Sequence, residues 1–226
     1  MIRDETPFYC FNVIESIRSR MLLSAEKISV NDFGTGGTKG GKNLFIQFIA
    51  RNYVKPAKYG QLLFRLVNEF HPENILEIGT SLGITTMYLA SARSKSRVIT
   101  MEGCENTSAV AAANFKAAGI KNIEQVTGEF SKTLPSVLKN IPRLDFVYFD
   151  GNHRKDPTLF YFKKCLENRH ENSVFVFDDI HWSNEMQEAW KIICDDPSVS
   201  LSIDLFSIGI VFFRSGFQKQ NFVLKY

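Results

Sequence analysis

The sequence predicts an α/β protein, a doubly wound and mainly parallel sheet preceded by a helical extension. Three observations predict it. From residue 74 onward, short apolar runs alternate with stretches of helical periodicity, the rhythm of strand–helix–strand units. Most of those runs are largely apolar rather than apolar at every second residue, as in strands buried on both faces. The first of them ends in Glu77-Ile78-Gly79-Thr80-Ser81-Leu82-Gly83, a glycine loop that leads into a helical pattern at Ile84.

Each element follows in order. Phe8, Phe11, Ile14, Ile17, Met21 and Leu22 recur at helical spacing, so residues 7–28 predict an amphipathic helix. Residues 32–41 hold five glycines with Thr and Lys, which predicts a loop serving as a phosphate cradle, a mobile lid or a linker. A phosphate loop proper needs Gly-Lys-Ser/Thr after a strand, whereas Gly41-Lys42-Asn43 follows a helix. Residues 44–70 predict a helical pair broken near Pro56, with Leu62, Leu63, Leu66, Val67 and Phe70 as a core stripe. A boundary is expected there, with residues 1–55 as helical extension and glycine-rich loop and 56–226 as the main domain. Strands are expected at 75–78, 97–101, 123–126, 144–149 and 173–177. Helices are expected at 84–93, 107–118, 131–139, 157–168 and 184–194. The tail differs: runs 200–206 and 209–214 leave no room for a helix between them, so they must be antiparallel neighbours.

Composition narrows the function. Twenty-seven basic against 24 acidic residues give a net charge of +3, with the basic residues scattered, so neither nucleic acid nor a membrane is an expected partner. No apolar run is long enough to span a bilayer. Cys10, Cys104, Cys165 and Cys194 have no metal or redox spacing and read as reduced thiols, which suits the cytoplasm. The expected partner is a small molecule, with a homodimer as a possibility.

The glycine loop points to the cofactor. Ligands of open α/β sheets sit at the carboxyl ends of the strands, where strand order reverses. A dinucleotide needs G-x-G-x-x-G for its pyrophosphate, but here Thr80 and Ser81 stand where a middle glycine would be. S-adenosylmethionine carries no phosphate. Its carboxylate can take backbone N–H groups near the helix start, and its ammonium can meet loop carbonyls or, through water, Glu77. Glu102 ends the second strand, where a carboxylate accepts from ribose hydroxyls. Gly128-Glu129-Phe130 ends the third, placed to contact an adenine amino group and ring face, or else to put an acid at a helix start.

Glu77-x-Gly79-x-x-x-Gly83, Glu102, Gly128-Glu129 and Asp150 follow in the order and spacing of the class I S-adenosylmethionine-dependent methyltransferases, which this chain resembles. Asp150-Gly151-Asn152-His153 and the Asp178-Asp179 strand end are similar to the small-molecule O-methyltransferases of the catechol type. The likeness covers roughly residues 56–214. It implies a Rossmann-like seven-stranded sheet of order 3-2-1-4-5-7-6 with strand 7 antiparallel, and a methyl group carried to a small acceptor, most simply a hydroxyl oxygen. It further implies a divalent cation, Mg2+ in the resembling enzymes, on Asp150, Asp178 and Asp179, although Asp179 stands where the catechol type has Asn. The alternative reading is that Asp150 shapes a turn and Asp179 caps a helix. Asp150, His153 and His181 are the candidate catalytic groups, either histidine serving as general base. Trp182 is a candidate pocket wall and Trp190 a core residue. Two other functions fit the same fold, a nicotinamide-dependent oxidoreductase and a non-catalytic binder of S-adenosylmethionine.

Overall fold

A computed structural model describes residues 4–31, 41–216 and 218–226. Most of the glycine-rich run, residues 32–40, lies outside the described residues, so its three readings are not tested. The chain opens with α1 (Tyr9–Leu22), a hairpin of β1 (Lys27–Val30) and β2 (Lys42–Phe45), then α2 (Ile46–Asn52) and α3 (Ala57–Phe70). Alternation follows: β3 (Asn74–Ile78), α4 (Ile84–Ala92), β4 (Arg97–Glu102), α5 (Glu105–Ala117), β5 (Ile123–Thr127), α6 (Phe130–Lys139), β6 (Leu144–Phe149), α7 (Lys155–Leu166), β7 (Arg169–Asp178) and α8 (Asn184–Asp195). The chain closes with β8 (Leu201–Asp204), β9 (Ile208–Phe212) and β10 (Gln220–Val223).

The main sheet has the order β5-β4-β3-β6-β7-β9-β8-β10. Only the pairs made by β9 are antiparallel. The paired tail is therefore present, but the sheet has eight strands rather than seven. The eighth, β10, runs parallel to β8 and is exposed at every residue, so it carries no apolar pattern by which a sequence reader could find it. The β1–β2 hairpin escaped for the same reason, its residues being half-buried at most.

Strand order reverses between β3 and β6, both parallel and hydrogen-bonded to each other, with β4 on the far side of β3. Helices on both faces cover the central strands, so Leu76, Ile78, Phe146, Val147, Phe175 and Phe177 are essentially inaccessible. Burial on that scale contributes about 1.5–3 kcal/mol per large apolar side chain. The N-terminal segment is not a separate body of apolar residues. Cys10, Phe11, Ile14, Ile17, Met21, Ile46 and Ile49 share one cluster with Phe64, Leu82, Met87, Tyr88 and Phe115. Tyr88 also donates its hydroxyl to Glu15 Oε1 at 2.8 Å, tying α4 to α1. Among the described residues, no helix is long and apolar enough to cross a membrane.

Candidate active site

The glycine loop leaves β3 in a conformation that side chains resist. Gly79 has φ +109°, and a Cβ there would lie 2.2 Å from the carbonyl oxygen of Asp150. Only glycine allows the loop after β3 to lie against the end of β6 this closely. Gly83, at φ +81°, caps α4, and a Cβ on it would meet the Phe115 ring at 2.5 Å. Ser81 between them holds a left-handed φ of +49° without being glycine, a strained position of the sort that clusters at ligand sites. Two loop amides, of Gly79 and Thr80, both donate to the Met101 carbonyl at 3.0 Å, which fixes the loop to β4.

Glu77 lies beneath this loop with no exposed surface. Its Oε2 accepts from Thr100 Oγ1 at 2.6 Å and from Thr86 Oγ1. Its Oε1 has no partner. Burial pushes the carboxyl up to about 8, only partly opposed by the two threonine hydroxyls. An unpartnered buried carboxylate oxygen under a glycine loop fits an ammonium-bearing ligand such as S-adenosylmethionine. Thr80 Oγ1 bonds Thr100 Oγ1 at 2.6 Å and so supports the same network rather than facing outward.

Glu102 ends β4 as expected. Its Oε2 accepts from the Ser81 amide at 2.8 Å and its Oε1 from the Cys104 amide at 3.0 Å. Each oxygen keeps a further lone pair for a hydroxyl donor. Burial raises this carboxyl while the amides oppose the rise. At the end of β5, Gly128 has φ +143°. Glu129 turns to its own helix, with Ser131 Oγ donating at 2.6 Å and Lys132 Nζ paired at 2.6 Å. That matches the plain reading of an acid at a helix start. Phe130 packs edge-on to Tyr161 and closes over Gly151, where a Cβ would meet its ring at 2.6 Å.

The third group sits where β6 and β7 end side by side, Phe149 opposite Phe177. Asp150, Asp178 and Asp179 converge there, as the sequence predicts. The surprise is Lys55, from the link between α2 and α3, whose Nζ lies 3.1 Å from Asp178 Oδ1 and is bonded to Asp179 Oδ1. Burial alone would depress this ammonium, but the Asp178 and Asp179 charges outweigh it and hold it above its ordinary value. Asp150 is pushed well above the carboxylate range, first by burial and then by the Asp178 charge. Asp178 is also raised by burial, with the Lys55 charge opposing. His153 Nε2 joins the cluster, 3.6 Å from Asp150 Oδ1 and 3.9 Å from Asp179 Oδ2. Tyr148, wholly buried on β6, has a hydroxyl with no partner and is raised by burial and by the Asp150 and Asp178 charges.

One expectation needs correction, and the two histidines differ in their surroundings. A hard divalent cation takes several oxygens facing one point. Among the described residues, no group of three or more His, Cys, Asp or Glu side chains is so arranged, and Lys55 stands between Asp178 and Asp179. The trio as arranged does not fit a metal. His181 and His153 have different partners. His181 Nε2 is bonded to Asp204 Oδ2 at 2.7 Å, an oxygen that also accepts from Trp190 Nε1 at 3.2 Å, and its ring stacks on Phe206. It belongs to a dyad with β8. Trp190 is core, packed against Phe177 and Gly209, and Trp182 is largely exposed on the loop after β7. Sequence reading missed Lys55 and Asp204, neither of which stands in a local motif.

A methyltransferase-domain family matches residues 76–180, from the first main strand to the loop after β7. The chain is 29% identical to a catechol O-methyltransferase of Mycobacterium tuberculosis over 126 residues, 55% of this chain and 56% of that protein. It is 32% identical to one from Niastella koreensis over 126 residues, 54% and 55% of the two chains. The chain thus spans little more than half the length of these curated relatives. Among solved structures, an O-methyltransferase of Bacillus cereus in complex with S-adenosylhomocysteine superposes with a TM-score of 0.65 at 21% identity, over 92% of each chain. The O-methyltransferase TomG of Streptomyces achromogenes, in complex with S-adenosylmethionine, gives 0.68 at 18% identity, over 93% of this chain and 92% of that one. These neighbours speak for the fold, and the match of residues 76–180 with the two curated relatives makes the chain similar to methyltransferases, O-methyltransferases among them.

Proposed function

We infer that the protein transfers the methyl group of S-adenosylmethionine to a hydroxyl oxygen of a small molecule. One observation carries the reading: the loop after β3 and the carboxylate–histidine cluster touch, Gly79 against the Asp150 carbonyl. Donor loop and acceptor-side chemistry are thereby contiguous at the strand ends, which aligned displacement requires.

The residues that would meet the cofactor are Glu77, Gly79, Ser81, Gly83, Glu102, Gly128, Phe130 and Asp150, while Thr80 bonds Thr100 and Glu129 bonds within its own helix. Within that set, Glu77 Oε1 would face the ammonium, the free lone pairs of Glu102 the ribose hydroxyls, and Phe130 the adenine ring. When bound, S-adenosylmethionine supplies a methyl group on a sulfonium, and its departure leaves a neutral thioether that needs no acid. The chain's task is then on the acceptor. His153 takes the hydroxyl proton at Nε2, and the Asp179 carboxylate, 3.9 Å away, stabilises the positive charge it gains, while the Asp150 carboxyl, held high by burial, lies 3.6 Å from the same nitrogen. α1 and α2, packed over α4, exclude water from one side of the cleft. His181 supports the loop after β7 through Asp204 rather than acting on the acceptor.

The test is incubation of the purified protein with methyl-labelled donor and a panel of phenols and catechols. Labelled ether and S-adenosylhomocysteine are the expected products. A protein that binds neither the donor nor S-adenosylhomocysteine, and labels nothing, would overturn the reading.

A further inference from the structure

The cluster at the ends of β6 and β7 is organised by a cation from the chain itself. Lys55 is 124 residues away from Asp179 in sequence, yet its ammonium lies between the Asp178 and Asp179 carboxylates. The Asp178 carboxylate is 0% exposed and neither of its oxygens has a hydrogen-bond partner, so the ammonium beside it is the charge that compensates it. An ammonium has three N–H groups, and two carboxylates occupy at most two of them. The Lys55 side chain is 18% exposed and the Asp179 and His153 side chains 24% and 25%, so the cluster can be reached from solvent.

We propose that Lys55 is the resident cation of this site: it donates its remaining N–H to the acceptor oxygen, and it occupies the space a divalent ion would need. A positive charge fixed beside the acceptor oxygen stabilises the negative charge that grows there as His153 removes the proton, the service a divalent ion gives related chemistry. Methyl transfer by this chain therefore proceeds without added metal. With the ammonium removed, the Asp150, Asp178 and Asp179 carboxylates are free to turn their oxygens to one point and hold a metal ion. The acceptor half rests on the methyl-transfer reading, while the exclusion of metal rests on the cluster alone.

The experiment titrates the whole chain with Mn2+, followed by calorimetry and by the electron paramagnetic resonance of free Mn2+, for the wild type, Lys55→Arg and Lys55→Ala. Affinity for S-adenosylhomocysteine and circular dichroism report folding. The wild type and Lys55→Arg are expected to take up no stoichiometric Mn2+, and Lys55→Ala to take up one ion per chain. With an acceptor in hand, EDTA leaves wild-type turnover unchanged. Lys55→Ala loses about 100-fold or more in kcat, the loss typical of removing one transition-state donor, and regains part of it with Mn2+. One Mn2+ bound per wild-type chain, or turnover abolished by EDTA, overturns the proposal. So does a folded Lys55→Ala that binds S-adenosylhomocysteine but no Mn2+. Should Lys55→Ala fail to fold, Lys55→Met, which keeps the stem and drops the charge, replaces it, and the wild-type titration still decides. If the wild type methylates nothing, the functional reading fails while the Mn2+ result continues to judge the exclusion of metal.

Discussion

Filling the site with S-adenosylhomocysteine should expel a proton from Glu77. The carboxyl sits at about 8 because burial strips its charged form of water. At pH 7 it is therefore about nine-tenths protonated. A ligand ammonium brought to the unpartnered Oε1 reverses that preference, since an opposite charge at contact favours ionisation. Binding should release roughly 0.9 proton at pH 7, about half at pH 8 and about 0.1 at pH 9. The assay is calorimetric titration at fixed pH in two buffers of different ionisation enthalpy, whose slope counts the protons. Glu77→Gln should abolish the buffer dependence and weaken binding by about 1.5–3 kcal/mol, the worth of hydrogen bonds to a charged group. Tight binding at pH 7 with no buffer dependence would refute the reasoning, because it would mean that Glu77 is already ionised or that the ammonium lies elsewhere. The same group sets a stability trend. Its folded value lies above its unfolded one, so the folded chain keeps a proton the unfolded chain loses. The ligand-free protein should lose stability as pH rises from about 4.5 to 8, by on the order of 3 kcal/mol by pH 7. Denaturant titrations across that range should show the trend in the wild type and a flatter one in Glu77→Gln.

Glu102→Ala should weaken S-adenosylhomocysteine by about 1.5–3 kcal/mol; unchanged affinity in calorimetry would move the ribose elsewhere. Gly79→Ala should destabilise the fold by at least about 1–3 kcal/mol from its φ alone, with more from the 2.2 Å approach to Asp150, as read by chemical denaturation. A variant as stable as the wild type would mean that the β3 loop can move away from β6. His153→Ala should lower kcat by about 10²–10⁴-fold with cofactor affinity kept, whereas His181→Asn should leave the pH profile of kcat in place. The opposite result would exchange the two histidines.

What the sequence made legible and what it hid divide along physical lines. Central strands buried on both faces must be apolar throughout, so β3, β4, β6 and β7 were visible without a structure. Gly79 and Gly83 were visible because only glycine tolerates those turns, and Glu102 because a strand end limits what an acid there can do. β1, β2 and β10 are half-exposed or exposed edges, and nothing in their composition had to reveal them. Lys55 was invisible for another reason. An ion pair between residues 55 and 179 is a property of chain topology, and Tyr53-Val54-Lys55-Pro56 carries no local mark of it. The partner of His181 was hidden in the same way, since Asp204 comes from a strand that enters the sheet later in the chain.

The missing side chain at residue 79 works as a spacer of zero thickness. Where the loop presses on the Asp150 carbonyl, nothing can be inserted and little can slide, so on the proposed methyl-transfer reading the span from donor to acceptor would be set by main chain. Freedom to take up new acceptors must then reside in the parts that do not share this contact, the N-terminal helices and the loop carrying Trp182. On the proposed methyl-transfer reading, substitutions in those parts would leave the contact between Gly79 and the Asp150 carbonyl as it is.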